Sequence, residues 1–490
     1  LRDIEALLNA MPSLSDLPTE LLQAILVYTT KADNLSLSTV NRRLSDEARA
    51  RLYQDITLEW KTEEIPPVCK LLQTLIEHKE LRTLVRSLHL SGQGPLDIDI
   101  HTPVIPLALD ADKASSIIRS TRFPHVETWE TAFREGNLDA ILALLVTLLP
   151  QLIRLSVIQN FARDSRILSR TVFYAAQSPT PEAEAGSDHD FRPDVSKLLD
   201  VTICQRRIGE ALYRAIRPFK NTPAILGWFY LPSVQRLSLS IDNPFDFAWP
   251  SPLPPKPQHL ETLFLDQIRE YRALPILAAC PRVKELNWNL RHEAGPDSDV
   301  LPDPPVVDLQ ALTAALAPLR DSLEVLTLGG ELVPGESELD VPPVTYSGLL
   351  DLAILTKVRT LSVPWIFYMG KSLQEGKTIG HPSTVPPRLT RLIIDDGFEY
   401  DDSTTWEDPE MRAAARKFLE EYRPQYTPHL RELGLHPGLL EDVSRDELEP
   451  LAEKLGLAFA SDTSIFKTRC MKKPPLPFCW TWDPPPHVSV

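Results

Sequence analysis

The chain contains residue types suited to acid–base, nucleophilic and metal chemistry, but not at the spacings that chemistry needs. Asp395-Asp396 and Asp401-Asp402 put carboxylates side by side. Their surroundings are polar, so nothing apolar is there to raise one pKa and keep a proton for general acid work. Gly370-Lys371-Ser372 ends as a phosphate-binding loop ends, yet it lacks the upstream glycine such a loop requires. No G-x-S-x-G nucleophile elbow, G-x-G-x-x-G turn or H-E-x-x-H pair occurs. His101, His125, His189 and His292 sit in polar contexts, and His436 follows a predicted strand. Cys69, Cys204, Cys280, Cys470 and Cys479 are scattered, with no C-x-x-C. That spacing supports neither a zinc module nor a disulfide framework, and it points to a reduced compartment, cytoplasmic and/or nuclear. The expectation is no catalytic residue, no metal site and no cofactor.

Composition narrows the partners. Of 490 residues, 51 are Lys or Arg and 67 are Asp or Glu, a net charge of −16. Neither a nucleic acid nor an anionic membrane surface is an expected partner for so acidic a chain. The most apolar run, Ala140 to Leu149, is too short to span a bilayer. There are 46 prolines and 18 glycines. That ratio favours rigid punctuation between short elements over flexible linkers.

The elements begin with three predicted helices in residues 1–60. Ser15 or Asp16 can cap the first, with Pro18 near its first turn and Leu21, Leu22, Ile25 and Leu26 at helical spacing. A second follows Asp33 with Leu35, Leu37 and Val40, and a third starts near Ser45. So small a core tends to need a partner surface.

Farther on, a strand pattern recurs: an apolar residue, two mostly polar ones, Leu, one residue, an apolar one. Its nine copies start at Val85, Leu152, Val234, Leu260, Val283, Leu323, Val358, Leu389 and Leu430. Several follow a helical stretch and a proline, as in NLDAILALLVTLLPQLIRLSV, where Asn137 can cap the helix and Pro150 stop it. Serial helix-then-strand units build a parallel sheet. Central leucines recur at intervals of 67, 82, 26, 23, 40, 35, 31 and 41 residues, so the first two gaps have room for further units. Acidic, proline-rich insertions are expected at about 91–136, 175–194, 295–306, 331–344 and 395–410, and residues 471–490 form a Pro/Trp-rich tail or cap.

The N-terminal blocks Leu17-Pro18-Thr19-Glu20-Leu21-Leu22, Ile25, Leu35, Ser38-Thr39-Val40-Asn41-Arg42 and Leu52-Tyr53 resemble the F-box family. Tyr53 or Trp60 stands where many members carry tryptophan. The copies over 61–470 resemble divergent leucine-rich repeats. The expected fold is therefore α/β, an F-box followed by an irregular solenoid with a parallel sheet and helices outside. The resemblance implies a substrate receptor of an SCF-type ubiquitin ligase, itself no enzyme. Leu17, Pro18, Leu21, Leu22, Ile25, Leu35, Leu37 and Val40 would form or support the grip on a Skp-type adaptor, and through it a cullin scaffold. Between the buried strand leucines, Arg236, Ser238, Thr262, Phe264, Glu285, Asn287, Asn289, Ser362, Arg391 and Ile393 are candidate contacts for a target protein. Two other readings compete: a repeat scaffold working outside ubiquitylation, and an α/β enzyme.

Overall fold

A computed structural model describes residues 14–60, 67–92, 105, 110–162, 164–177, 193–204, 221, 223–243, 247–293, 306–333, 345–369, 384–395, 408–421, 427–435 and 442–460. The fold is α/β, built on parallel strands that pair largely in sequence order within each unit. The chain divides into two compact units, 1–239 with 248–257, and 240–247 with 258–490.

The first unit opens with helices α1 (Thr19–Val27), α2 (Lys31–Leu37) and α3 (Arg42–Gln54). Strands β1 (Asp55–Trp60), β2 (Ser87–Gly92), β3 (Arg154–Ile158), β4 (Asp200–Cys204) and β5 (Arg236–Ser240) follow. Each pairs in parallel with the next, so sequence order is sheet order. The central leucines of the three copies here, Leu88, Leu155 and Leu237, fall in one register row with Ile56 and Val201. Period-two alternation turns that row, and the row two residues on, into the core from β2 to β5, while Ile56 and Leu58 of β1 stay half-buried. β1 was expected inside the helical module but belongs to the sheet.

Helix α4 (Val68–Glu77) precedes β2. The described part of the expected insertion over 91–136 holds helices α5 (Ala111–Ser120) and α6 (Val126–Arg134), which bury Ile118, Trp129 and Phe133. Helix α7 (Leu138–Thr147) is capped by Asn137, whose side chain accepts from the Ala140 N–H at 3.1 Å, and Pro150 stands between it and β3. Its buried Asp139 caps helix α8 (Arg166–Gln177) instead, accepting from the N–H groups of Ile167 and Leu168 at 2.5 and 3.1 Å. Burial, with Asp164 close by, pushes this carboxyl well above the usual range.

His125 stacks with Phe123, Trp129 and Tyr174 at centroid distances of 5.4–5.9 Å and shares a hydrogen bond with the Thr171 hydroxyl at 3.1 Å. Burial, reinforced by the Arg170 charge, lowers its pKa to about 4. An unfolded histidine binds its proton near pH 6.5, so across this window the unfolded state holds more protons. Stability contributed above about pH 6.5 should fall as pH drops toward 4, then level off. Urea midpoints for wild type and His125→Phe check this: the wild type should lose more stability than the variant between pH 7 and 4.

In the second unit, β6 (Thr262–Gln267), β7 (Glu285–Glu293), β9 (Val325–Val333), β11 (Thr360–Pro364), β12 (Arg391–Asp395), β13 (Glu432–Leu435) and β14 (Ala458–Ala460) pair in that order. Leu263, Leu286, Leu326, Leu361, Leu392, Leu433 and Phe459 form their register row. Strands β8 (Val306–Asp308) and β10 (Thr345–Ser347) pair separately. Helices include α9 (Glu270–Ala279) and α10 (Leu309–Leu316).

Arg269 and Glu270, both fully buried, form a two-bonded ion pair at 2.9 Å at the start of α9. Arg269 also donates to the Val306 carbonyl at 2.9 Å, and Glu270 accepts from the Asp308 N–H at 3.0 Å. The pair thereby ties α9 to β8.

Candidate docking surface

The helical module turns one face of α1 inward and the other to solvent. Pro18 stands at the α1 N-cap without a side-chain cap, and Ser15-Asp16 lie in a preceding 3-10 turn rather than capping the helix. Thr30 caps α2 in a reciprocal box with Asp33: the Asp33 N–H donates to the Thr30 hydroxyl, and the Thr30 N–H to the Asp33 carboxylate. The Thr30 hydroxyl also donates to that carboxylate at 2.7 Å, and this bond, then the one from the Thr30 N–H, holds the Asp33 carboxyl below its ordinary pKa. Asn41, not Ser45, caps α3, accepting from the Leu44 N–H at 2.9 Å. The Arg43 guanidinium donates to the Leu17 carbonyl at 2.5 Å, and the Gln23 amide to Glu47 at 2.9 Å. These bonds fix α1 against α3.

Leu22, Leu26 and Leu44 make the small core, with Leu14 and Leu37 partly buried against it. Leu22 is therefore a support beneath the surface, not part of it. Leu17 is half-buried and Pro18 exposed. Leu21 (54% exposed), Ile25, Leu35 and Val40 point to solvent. Tyr28, 90% exposed, and Val27 join them. Sequence reasoning left both out, although Leu21, Ile25 and Tyr28 stand at i, i+4 and i+7, one helical stripe. Of nine large hydrophobic residues exposed among the described residues, six lie between 21 and 40. From Thr19 to Thr30 the only charge is Glu20. A short helix apolar on both faces, and buried on one, leaves a surface suited to another protein.

The candidate target contacts separate into two groups. Thr262 is in register with Glu285, and Phe264 with Asn287, all half-buried. Asn289 is half-buried too, and its amide donates to Asp266 at 3.0 Å, where the Ser240 hydroxyl also donates at 2.7 Å. Gly329, in register with Asn289, keeps a side chain off that carboxamide; a Cβ there would stand 3.0 Å from its oxygen. Arg236 pairs with Asp200 and Arg391 with Glu432, each at 2.8 Å. The second group is a correction. Ser238, Ser362 and Ile393 are buried, and Ser362 donates to Asp395 at 3.0 Å. Ile393, expected as an apolar anchor facing out, is core.

Among the described residues no group of three His, Cys, Asp or Glu is placed to hold a metal ion, and no helix is long and apolar enough to cross a membrane. Cys69, Cys204 and Cys280 are buried and lie in no disulfide; burial pushes the Cys69 thiol up to about 11 and Cys280 higher still. Gly370-Lys371-Ser372, Asp396, Asp401-Asp402, His436, residues 93–104, 106–109, 178–192, 295–305, 334–344 and 396–407 of the expected insertions, and the tail lie outside the described residues. Compared with family models and with curated proteins, the chain matches none at a significant level.

Proposed function

We propose that the chain is the substrate receptor of an SCF-type ubiquitin ligase: an F-box module docking on a Skp-type adaptor, followed by a leucine-rich-repeat-like solenoid that holds a target protein. The observation that carries the first half is the apolar stripe of Leu21, Ile25 and Tyr28, with Leu35 and Val40, left in solvent by a module whose own core is Leu22, Leu26 and Leu44. It suits helix-in-groove recognition, where a few desolvated apolar anchors supply most of the affinity. Support for the second half is the coincidence of all nine pattern copies with parallel strands, and strand order that follows sequence order within each unit. Units that pack on their sequence neighbours are the grammar of a solenoid.

In this reading the receptor performs no bond-making step. It contributes proximity and orientation, holding a target near the ubiquitin carrier. The half-buried row of Thr262, Phe264, Glu285, Asn287 and Asn289 is the best-placed candidate for target contact. Co-expression with a Skp-type adaptor tests the proposal. Wild type should co-purify with it, and Leu21→Asp with Ile25→Asp should not. A variant that co-purifies as well as wild type would sink the assignment.

A further inference from the structure

Strands β6, β7 and β9 carry a sheet face whose central polar groups are left without partners. Leu263, Leu265, Leu286, Trp288, Leu326 and Leu328 point into the core and are fully buried. Alternation turns Thr262, Phe264, Glu285, Asn287, Val325 and Thr327 to the other face, where all six are half-buried. The register sets Thr262 beside Glu285 and Glu285 beside Val325. It likewise sets Phe264 beside Asn287 and Asn287 beside Thr327.

Among the described residues, the side chains of Glu285, Asn287 and Thr327 enter no hydrogen bond or ion pair, and no ring or cation stacks on Phe264. The neighbouring cations are engaged elsewhere. Lys284 pairs with Glu261 at 2.7 Å, Arg391 pairs with Glu432 at 2.8 Å, and Arg291, farther along β7, is buried. One row on, Asn289 already donates to Asp266 at 3.0 Å, and Gly329 beside it has no side chain. The unmatched carboxylate, carboxamide and hydroxyl therefore surround one half-buried aromatic ring.

We infer that this face binds an extended basic segment of the target protein, with an arginine or lysine laid over Phe264 and its charge on Glu285. The inference rests on the receptor reading and names the chemistry of what the receptor holds. Diagonal neighbours on a sheet face lie about 7–8 Å apart, within reach of a long side chain, so one cation meets both the ring and the carboxylate. Each attracts it. Asn287 carries both a donor and an acceptor, and the Thr327 hydroxyl can serve as either, which suits the backbone amides of an extended chain. The net charge of −16 steers such a segment toward the protein.

The purified full chain should be titrated, by fluorescence anisotropy, with labelled peptides of one alternating Thr/Ser sequence whose central residues are Arg, Lys, Glu or Ala. The Arg and Lys peptides should bind about tenfold more tightly than the Glu and Ala peptides. Glu285→Arg should reverse the order, favouring the Glu peptide, and Asn287→Ala should weaken binding of the Arg peptide several-fold. Melting curves should not change, since neither side chain has a partner to lose. A preference for Arg that survives in Glu285→Arg is attraction by net charge alone and overturns the inference, as does the absence of any preference in the wild type. Co-purification with a Skp-type adaptor should be the same in all variants. Adaptor binding without peptide preference sinks this inference alone; peptide preference without adaptor binding sinks the ligase reading and leaves the basic-segment site standing.

Discussion

Replacing Arg269 by alanine is expected to destabilise the second unit by about 3–5 kcal/mol, the usual cost of leaving one charge of a buried pair alone. Glu270 is fully buried and would keep only the Asp308 N–H as a partner, while the Val306 carbonyl would lose its donor. A domain's whole stability is about 5–15 kcal/mol, so the change reaches a large share of it. Urea unfolding should show a lower midpoint at constant slope. Replacing both charges, Arg269→Met with Glu270→Leu, removes the orphan ion and should cost less than the single change. The reverse ranking would mean the pair does not set the stability of the α9–β8 junction.

Leu21→Asp with Ile25→Asp should separate binding from folding. Anchors buried in an interface are typically worth about 2 kcal/mol or more each. Losing two corresponds to about 4 kcal/mol, roughly a thousandfold in affinity for a Skp-type adaptor. Both side chains are exposed in the free chain, so its stability should move by about 0.5 kcal/mol or less. Leu22→Ala is the contrasting variant. Leu22 is fully buried in a core of three leucines, and a cavity there costs about 2–5 kcal/mol. It should weaken binding by melting the module, with a matching loss of helical signal. Lost affinity without lost structure in the Asp pair, and both lost together in Leu22→Ala, is the pattern expected of a docking face resting on a minimal core.

The strands were the most legible part of the fold. L-x-x-L-x-L encodes period two, and in every copy the middle leucine became a register position in the core, from Leu88 to Leu433. β4 escaped because valine and isoleucine take the leucine positions in Asp200-Val-Thr-Ile-Cys204, although it lies in the 82-residue gap that had room for a unit. The 67-residue gap hid helices α5 and α6 instead. Their apolar residues, Ile118, Trp129 and Phe133, are spaced widely among charges, and the stretch read as an insertion.

The docking surface was legible in part. Helical spacing picked out Leu21 and Ile25, but periodicity alone does not say which of two adjacent leucines turns inward. That depends on where α3 packs, and Leu44 meets Leu22 rather than Leu21. The outward strand positions were less legible still. Alternation makes Ser238, Ser362 and Ile393 candidates for an open face, yet all three are buried. What covers a sheet face is set by distant segments, and no local pattern carries that information.

Amide hydrogen exchange of the full chain, with and without saturating Skp-type adaptor, tests the central claim most directly. New protection concentrated in residues 17–40, over α1 and α2, is the expected result. Unchanged exchange there, whether the adaptor fails to bind or protects another segment instead, would contradict it.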